Sequence, residues 1–414
     1  MTDDTRAPDG DAPNGGSHAG DAPDDEEPTA GGATAGTTTT GAGGGLGETV
    51  AGVVDSVGRQ IARLPGGNAA VGLGLIAATV VLLLLPIGFV VPGFGFVLLD
   101  QAILFVLYAM VLLGLNLQFG DTGLINFGPV LFLGLGLYGM ALVSADTPSF
   151  AEATGLNLFW GLGIFVGIVL AIVGGLVLGG SSLRLREDYL AITTLAAAEI
   201  FHEFVRVFQN PFGGSKGILG VPQLVAESGG GGVLPFAENA GTRDLATLLL
   251  LAGVLLIAYE GFRRLSESPY GRVLRSIQAD EDAARGLGKA TIRYKIQAFI
   301  YGAAVAGVAG GLMAMYFGSV SPGLITIDVT VIIWIGMMIG GAGNYRGAIT
   351  GLAIIMFFEL GVRLLNAPVT QTFGVSAARF NAVRGLLIGA LLVLVIRFRP
   401  AGLFGEEQTL EVFK

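Results

Sequence analysis

Stretches of about 20 predominantly apolar residues recur along this chain, and each is long enough to cross a bilayer as a helix. They run roughly over 69–91, 97–119, 124–144, 158–180, 188–208, 244–262, 294–318, 329–343, 347–365 and 381–398. Hydrocarbon offers a backbone no water to bond to, so spans of this kind must satisfy their amides within helices. The expected fold is an all-α, polytopic transmembrane helix bundle of about eight to ten spans. Charged residues make up only 13% of the chain, against roughly 25% in soluble domains. That balance excludes an ordinary cytosolic enzyme and a nucleic-acid binder. The absence of cysteine and the presence of only two histidines exclude disulfide, thiol and iron–sulfur chemistry and a His-rich site, so no metal is expected.

Two segments depart from a simple span. The fifth, DYLAITTLAAAEIFHEFVRVF, carries Asp188, Glu199, His202, Glu203 and Arg206, and it reads as a span facing protein or a cavity, or as an amphipathic helix that only partly enters. The eighth is short for a straight crossing. The 68 glycines fit closely packed helices.

Charge divides the chain differently. The first 50 residues hold ten acidic residues and one basic residue, Arg6, which accounts for the whole formal charge of -9. Residues 1–68 are read as a disordered acidic Gly/Ala/Asp/Thr-rich tail with too little apolar surface to fold. Residues 69–405 form the membrane domain, and 406–414 a short C-terminal tail. Basic residues set orientation. The connection at about 263–293 carries Arg263, Arg264, Arg272, Arg275, Arg285, Lys289 and Arg293, and is therefore placed in the cytoplasm. Counting outward puts both termini inside, with Arg379 and Arg384 as exceptions near an outer end.

Several motifs mislead. Gly134, Gly136 and Gly139 satisfy G-x-G-x-x-G, but they sit in an apolar helix rather than after a strand, which favours helix packing over nucleotide binding. Gly213-Gly-Ser-Lys-Gly217 satisfies G-x-S-x-G without a strand–turn–helix or an activating histidine. His202-Glu203 begins H-E-x-x-H, but Arg206 stands where the second ligand belongs. No P-loop occurs, so the chain has no such nucleotide site of its own.

The basic loop carries more information. Pro269 and Gly271 mark a turn, and Val273, Leu274, Ile277, Ala284 and Leu287 recur at about helical spacing. Asp280, Glu281 and Asp282 favour the start of a second short helix, and Gly288 its end. A protruding helix pair of this kind reads as a contact for a cytosolic partner or as a solvated loop held by charge pairs.

Here the chain resembles a known family. Asp282-Ala283-Ala284-x-x-x-Gly288 looks like the E-A-A-x-x-x-G coupling motif of ABC importer permeases, with Asp for the usual Glu. The stretches GLNLQFGDTGLINFG (114–128), LRLREDYLAITTL (183–195), GGSKGI (213–218), SPYGRVLRSI (268–277), GGAGN (340–344) and FRPAGLFG (398–405) resemble the LivM-type permease of branched-chain amino acid importers. They follow in order over about 75–405. Pro129 replaces a histidine common in relatives.

The resemblance implies a multi-pass permease in the cell membrane that is not itself an enzyme. It would pair with a second, LivH-like permease, two ABC ATPase subunits that hold ATP and magnesium, and an extracytoplasmic solute-binding protein. Arg272, Arg275, Glu281, Asp282, Ala283, Ala284 and Gly288 are the expected coupling residues. Polar residues within spans usually face the bundle interior, so Asn116, Gln118, Asn126, Thr193, Thr194 and Glu199 are the candidate translocation path, with helix–helix hydrogen bonding the competing role. Glu199 and Glu359 are the expected buried acids. A urea or short-amide importer permease is the alternative reading, and an ion-coupled secondary transporter a more distant one.

Overall fold

The structure is a computed structural model that describes residues 94–145, 160–182, 187–227, 232–237, 239–366, 374, 376–398 and 402–404. The acidic tail, the first apolar segment and the final residues lie outside these. Eleven helices are described: α1 (Phe94–Phe119), α2 (Pro129–Ser144), α3 (Trp160–Ser182), α4 (Glu187–Val207), α5 (Ala240–Glu267), α6 (Pro269–Ala279), α7 (Glu281–Gly286), α8 (Thr291–Phe317), α9 (Ile327–Gly340), α10 (Tyr345–Leu364) and α11 (Ala377–Phe398). The chain is an all-α polytopic bundle. Among the described residues, six helices are long and apolar enough to cross a membrane, and α2 is a shorter apolar one.

The bundle is built around α8. This helix packs against α1, α2 and α3, while α1 also meets α5 and α10, and α9 lies along α10. Small residues make that density possible. A Cβ at Gly136 would collide with the Gly307 backbone, and one at Gly139 with Gly167. Gly136 and Gly139 are thus the contact surface of α2 with α8 and α3, as close helix packing requires, while Gly134 meets Phe201 of α4.

Two segments differ from their sequence limits for identifiable reasons. The third span was expected from residue 124, but α2 starts at Pro129, which occupies the first helical position where its missing amide costs nothing. Residues between Phe119 and Pro129 form a turn and an extended stretch. The short eighth segment gains length from a 3-10 turn at Pro322–Leu324 that precedes α9. The fifth segment is one helix, α4, which buries Leu190, Thr194, Ala198 and Val205 and exposes Tyr189, Ile192 and Ile200.

One end of the bundle carries short β pairings: β1 (Ile218–Leu219) runs antiparallel to β4 (Ser319–Val320), and β2 (Gln223–Glu227) parallel to β3 (Gly232–Ala237). The opposite end carries α6 and α7. There, Ser268 serves as both the C-cap of α5 and the N-cap of α6, so a single residue separates a 28-residue span from the helix pair.

Candidate functional site

The expected helix pair exists. Leu274, Ile277 and Ala284 are buried against the bundle. Asp280 separates the two helices and accepts the Ala283 amide at 2.9 Å, the N-cap bond that acidic residues at that position supply. Gly288 follows with φ +78, a left-handed conformation that suits glycine. Leu287 shares the helical spacing of these residues but is 81% exposed, as it follows the last residue of α7.

Asp121 fastens this pair to the membrane helices. It lies in the turn after α1 and is 1% exposed. Its Oδ2 accepts from Tyr345 Oη at 2.7 Å. Its Oδ1 accepts from Ser266 Oγ at 2.8 Å and from Arg275 Nη1 at 3.3 Å. Arg275 also donates to Ser266 Oγ at 3.0 Å, and Gln278 Nε2 to the Phe119 carbonyl at 3.2 Å. One carboxylate therefore joins the end of α1, the end of α5, the start of α10 and α6. Burial raises its pKa above the usual carboxylate value, against the lowering effect of Tyr345, Ser266 and Arg275. An uncompensated buried carboxylate costs several kcal/mol, and these three donors offset that cost.

A second brace holds α7. Glu281 Oε2 accepts from Lys295 Nζ at 2.6 Å, and Oε1 from Arg285 Nη2 at 3.1 Å. Lys295 is buried near the base of α8. Burial works against ionisation of Glu281, but Lys295, Thr291 and Arg285 together hold its pKa below the usual value. Of the expected coupling residues, Arg275 and Glu281 thus make inward bonds. Arg272, Asp282, Ala283 and Gly288 are exposed, and Ala284 is buried. Asp282 pairs with Arg285 at 3.1 Å.

The candidate path residues form a separate, neutral network. Gln118 Nε2 donates to the Phe299 carbonyl at 3.0 Å, and Asn126 Nδ2 to Gln118 Oε1 at 2.8 Å. Asn126 Oδ1 accepts the Gly128 amide at 2.8 Å, and its carbonyl accepts Trp334 Nε1 at 2.9 Å. Thr194 Oγ1 accepts the Phe127 amide at 3.0 Å, and Asn116 Oδ1 the Gly343 amide at 2.9 Å. These bonds replace the helical ones that the stretch before Pro129 lacks. Trp334 closes the network by stacking on Phe127, with ring centroids 4.7 Å apart.

Thr193 and Glu199 lie elsewhere. Thr193 bonds its own helix, at the Tyr189 carbonyl. Glu199 was expected to be buried, but its side chain is 61% exposed, 4.0 Å from His202 one helical turn on. Glu359 is buried as expected. Arg363 lies 3.2 Å from its carboxylate and Arg384, one of the two basic exceptions, 3.8 Å.

The geometry pairs a polytopic bundle with a protruding, braced helix pair. The family model of the branched-chain amino acid transport system / permease component matches residues 97–396. The chain belongs to this family. It is 27% identical to the probable branched-chain amino acid transport permease protein LivM of Methanocaldococcus jannaschii, over 73% of this chain and 92% of that one. It is 30% identical to the high-affinity branched-chain amino acid transport system permease protein LivM of Salmonella typhimurium, over 73% and 69%. The LivH permease protein of Escherichia coli is 25% identical, over 74% and 93%. No solved structure matches. Membership in this permease family, together with the apolar helices, makes the chain a multi-pass membrane protein.

Sequence reasoning passed over Asp121, Ser266 and Tyr345. An acidic residue between two glycines at the end of a span was a signal for Asp121. Nothing local marked its partners, which come from 145 and 224 residues away.

Proposed function

We propose that this chain is the membrane-spanning permease subunit of an ATP-driven importer of branched-chain amino acids. It works with a second permease, two ABC ATPase subunits and an external solute-binding protein. ATP and magnesium belong to the ATPases, and this subunit catalyses no reaction itself. The observation that carries the reading is the helix pair α6–α7. It stands at the end of the bundle that gathers the arginines, fastened inward by Asp121 and Lys295, and turns Arg272, Asp282, Leu287 and Gly288 outward. Such a pair is a rigid foot for a partner. The family membership supplies the kind of partner, and both termini and the foot lie on the cytoplasmic side by the distribution of basic residues. A permease for urea or short amides would share this architecture.

The test is ATP-dependent uptake of radiolabelled leucine, with urea in parallel. It uses vesicles that hold the chain with its companion permease, ATPases and binding protein. Leucine uptake that is abolished by Asp282→Arg, with the subunit still in the membrane, is the expected result. Uptake of urea alone would move the substrate class. Uptake by this chain alone on an ion gradient would overturn the importer reading.

A further inference from the structure

Beside the Asp121 junction lies a cavity of about 800 Å³, bounded by the ends of α1 and α5, by α6 and by the start of α10. Three guanidinium groups line it: Arg263, Arg275 and Arg346. Asp121 and Glu267 are the lining carboxylates, so three guanidinium groups face two acids, and Arg263 also pairs with Glu260, outside the lining, at 3.2 Å. Asp121 already takes three donors, and Glu267 is bonded to Arg263 at 3.2 Å while mostly facing solvent. Arg346 bonds a neutral phenol, Tyr259 Oη, at 3.2 Å and feels Glu267 at longer range. The lining therefore carries a net positive charge.

The start of α10 adds to this. A helix leaves its first amides without intrahelical acceptors, and its N-terminus attracts anions. Asn344 Oδ1 takes the amide of Gly347, which leaves those of Tyr345 and Arg346 at the cavity wall. The depth is that of the membrane interface, because α1, α5 and α9 end here and α10 begins. The Tyr259–Arg346 pair is of the aromatic and basic type that gathers at that level.

We infer that this cavity binds the phosphate group of an anionic phospholipid headgroup, held by Arg263, Arg346 and the first amides of α10. Guanidinium forks and helix amides both match phosphate oxygens, and basic pockets between helices at this face take anionic headgroups. The lipid phosphate would sit against Arg275 and so against α6. Free inorganic phosphate shares the chemistry, and the experiment separates the two.

The full-length chain, purified in detergent, is exchanged with phosphatidylglycerol or phosphatidylcholine and examined by native mass spectrometry. The expected result is retention of phosphatidylglycerol over phosphatidylcholine, reduced about tenfold in the Arg263→Gln/Arg346→Gln variant. Arg264→Gln removes the same charge from a side chain that is 77% exposed and absent from the lining, and should keep the lipid. Equal retention of both lipids, or full retention by the double variant, would overturn the assignment. Displacement of the lipid by millimolar inorganic phosphate would overturn the lipid as occupant. Should the double variant fail to fold, Arg346→Lys, which keeps the charge but loses the fork, gives the same reading through a partial loss.

Discussion

Residues 116–128 meet the rest of the molecule in two different ways. The half around Asn126 is tied to α8, α9 and α4 by neutral amide and hydroxyl bonds. The half around Asp121 is tied to α5, α6 and α10 through one ionisable carboxylate. Neutral bonds suit the membrane interior, where charge is expensive, and they leave the extended stretch a single arrangement. The charged junction lies at the interface, where Arg275 keeps access to water and could be released and remade. The difference separates a neutral, buried anchor from a charged one that keeps a solvent-exposed member, Arg275.

The largest effect should come from the neutral anchor. Asn126→Leu strips the Gly128 amide and the Gln118 side chain of partners and should cost about 3 kcal/mol. Thermal unfolding in detergent would read this as a lowered midpoint, and an unchanged midpoint would deny the anchoring role. Asp121→Ala should cost less, about 1–2 kcal/mol, because removing the carboxylate also removes its burial cost and Arg275 can rehydrate, which offsets part of the acceptor lost by Tyr345 and Ser266. Hydrogen exchange should rise across 269–286 but not across 129–144. Equal loosening of both stretches would erase the distinction between the halves.

Acid should sharpen it. Glu281 has a lowered pKa in the folded chain, so its stabilisation is present above the ordinary value of 4.5 and is lost as pH falls through the lower folded one. Asp121 has a raised pKa, so folding favours its protonated form and falling pH relieves its burial. Exchange protection of α7 should therefore drop in acid before that of the turn around Asp121. The reverse order would contradict both directions. The smallest effect belongs to Glu203→Gln. It removes an exposed pair with Arg206 and should leave the melting midpoint unmoved.

The fold was largely legible because apolar length and helical caps are local properties. The positions of α6 and α7 followed from Pro269, the acidic run at 280–282 and Gly288. The start of α2 was misjudged because apolar content continues through Leu124, Ile125 and Phe127, while the helix waits for Pro129. The environment of Glu199 was misjudged because helical phase relative to neighbours is a tertiary property. The Asp121 junction needed four distant segments to meet, and a single sequence shows no such meeting. Within the polar set, the sequence could name Asn116, Gln118, Asn126 and Thr194 but not tell what each would bond.

The shared cap at Ser268 has a geometric consequence. A helix of 28 residues is about 42 Å long, and α5 joins α6 through that one residue. A tilt of about 5° at this joint would carry the far end of α5, at Asn239, through about 4 Å. That displacement exceeds the diameter of a water molecule, so a small rotation on one side of the membrane is enough to open or close a gap on the other.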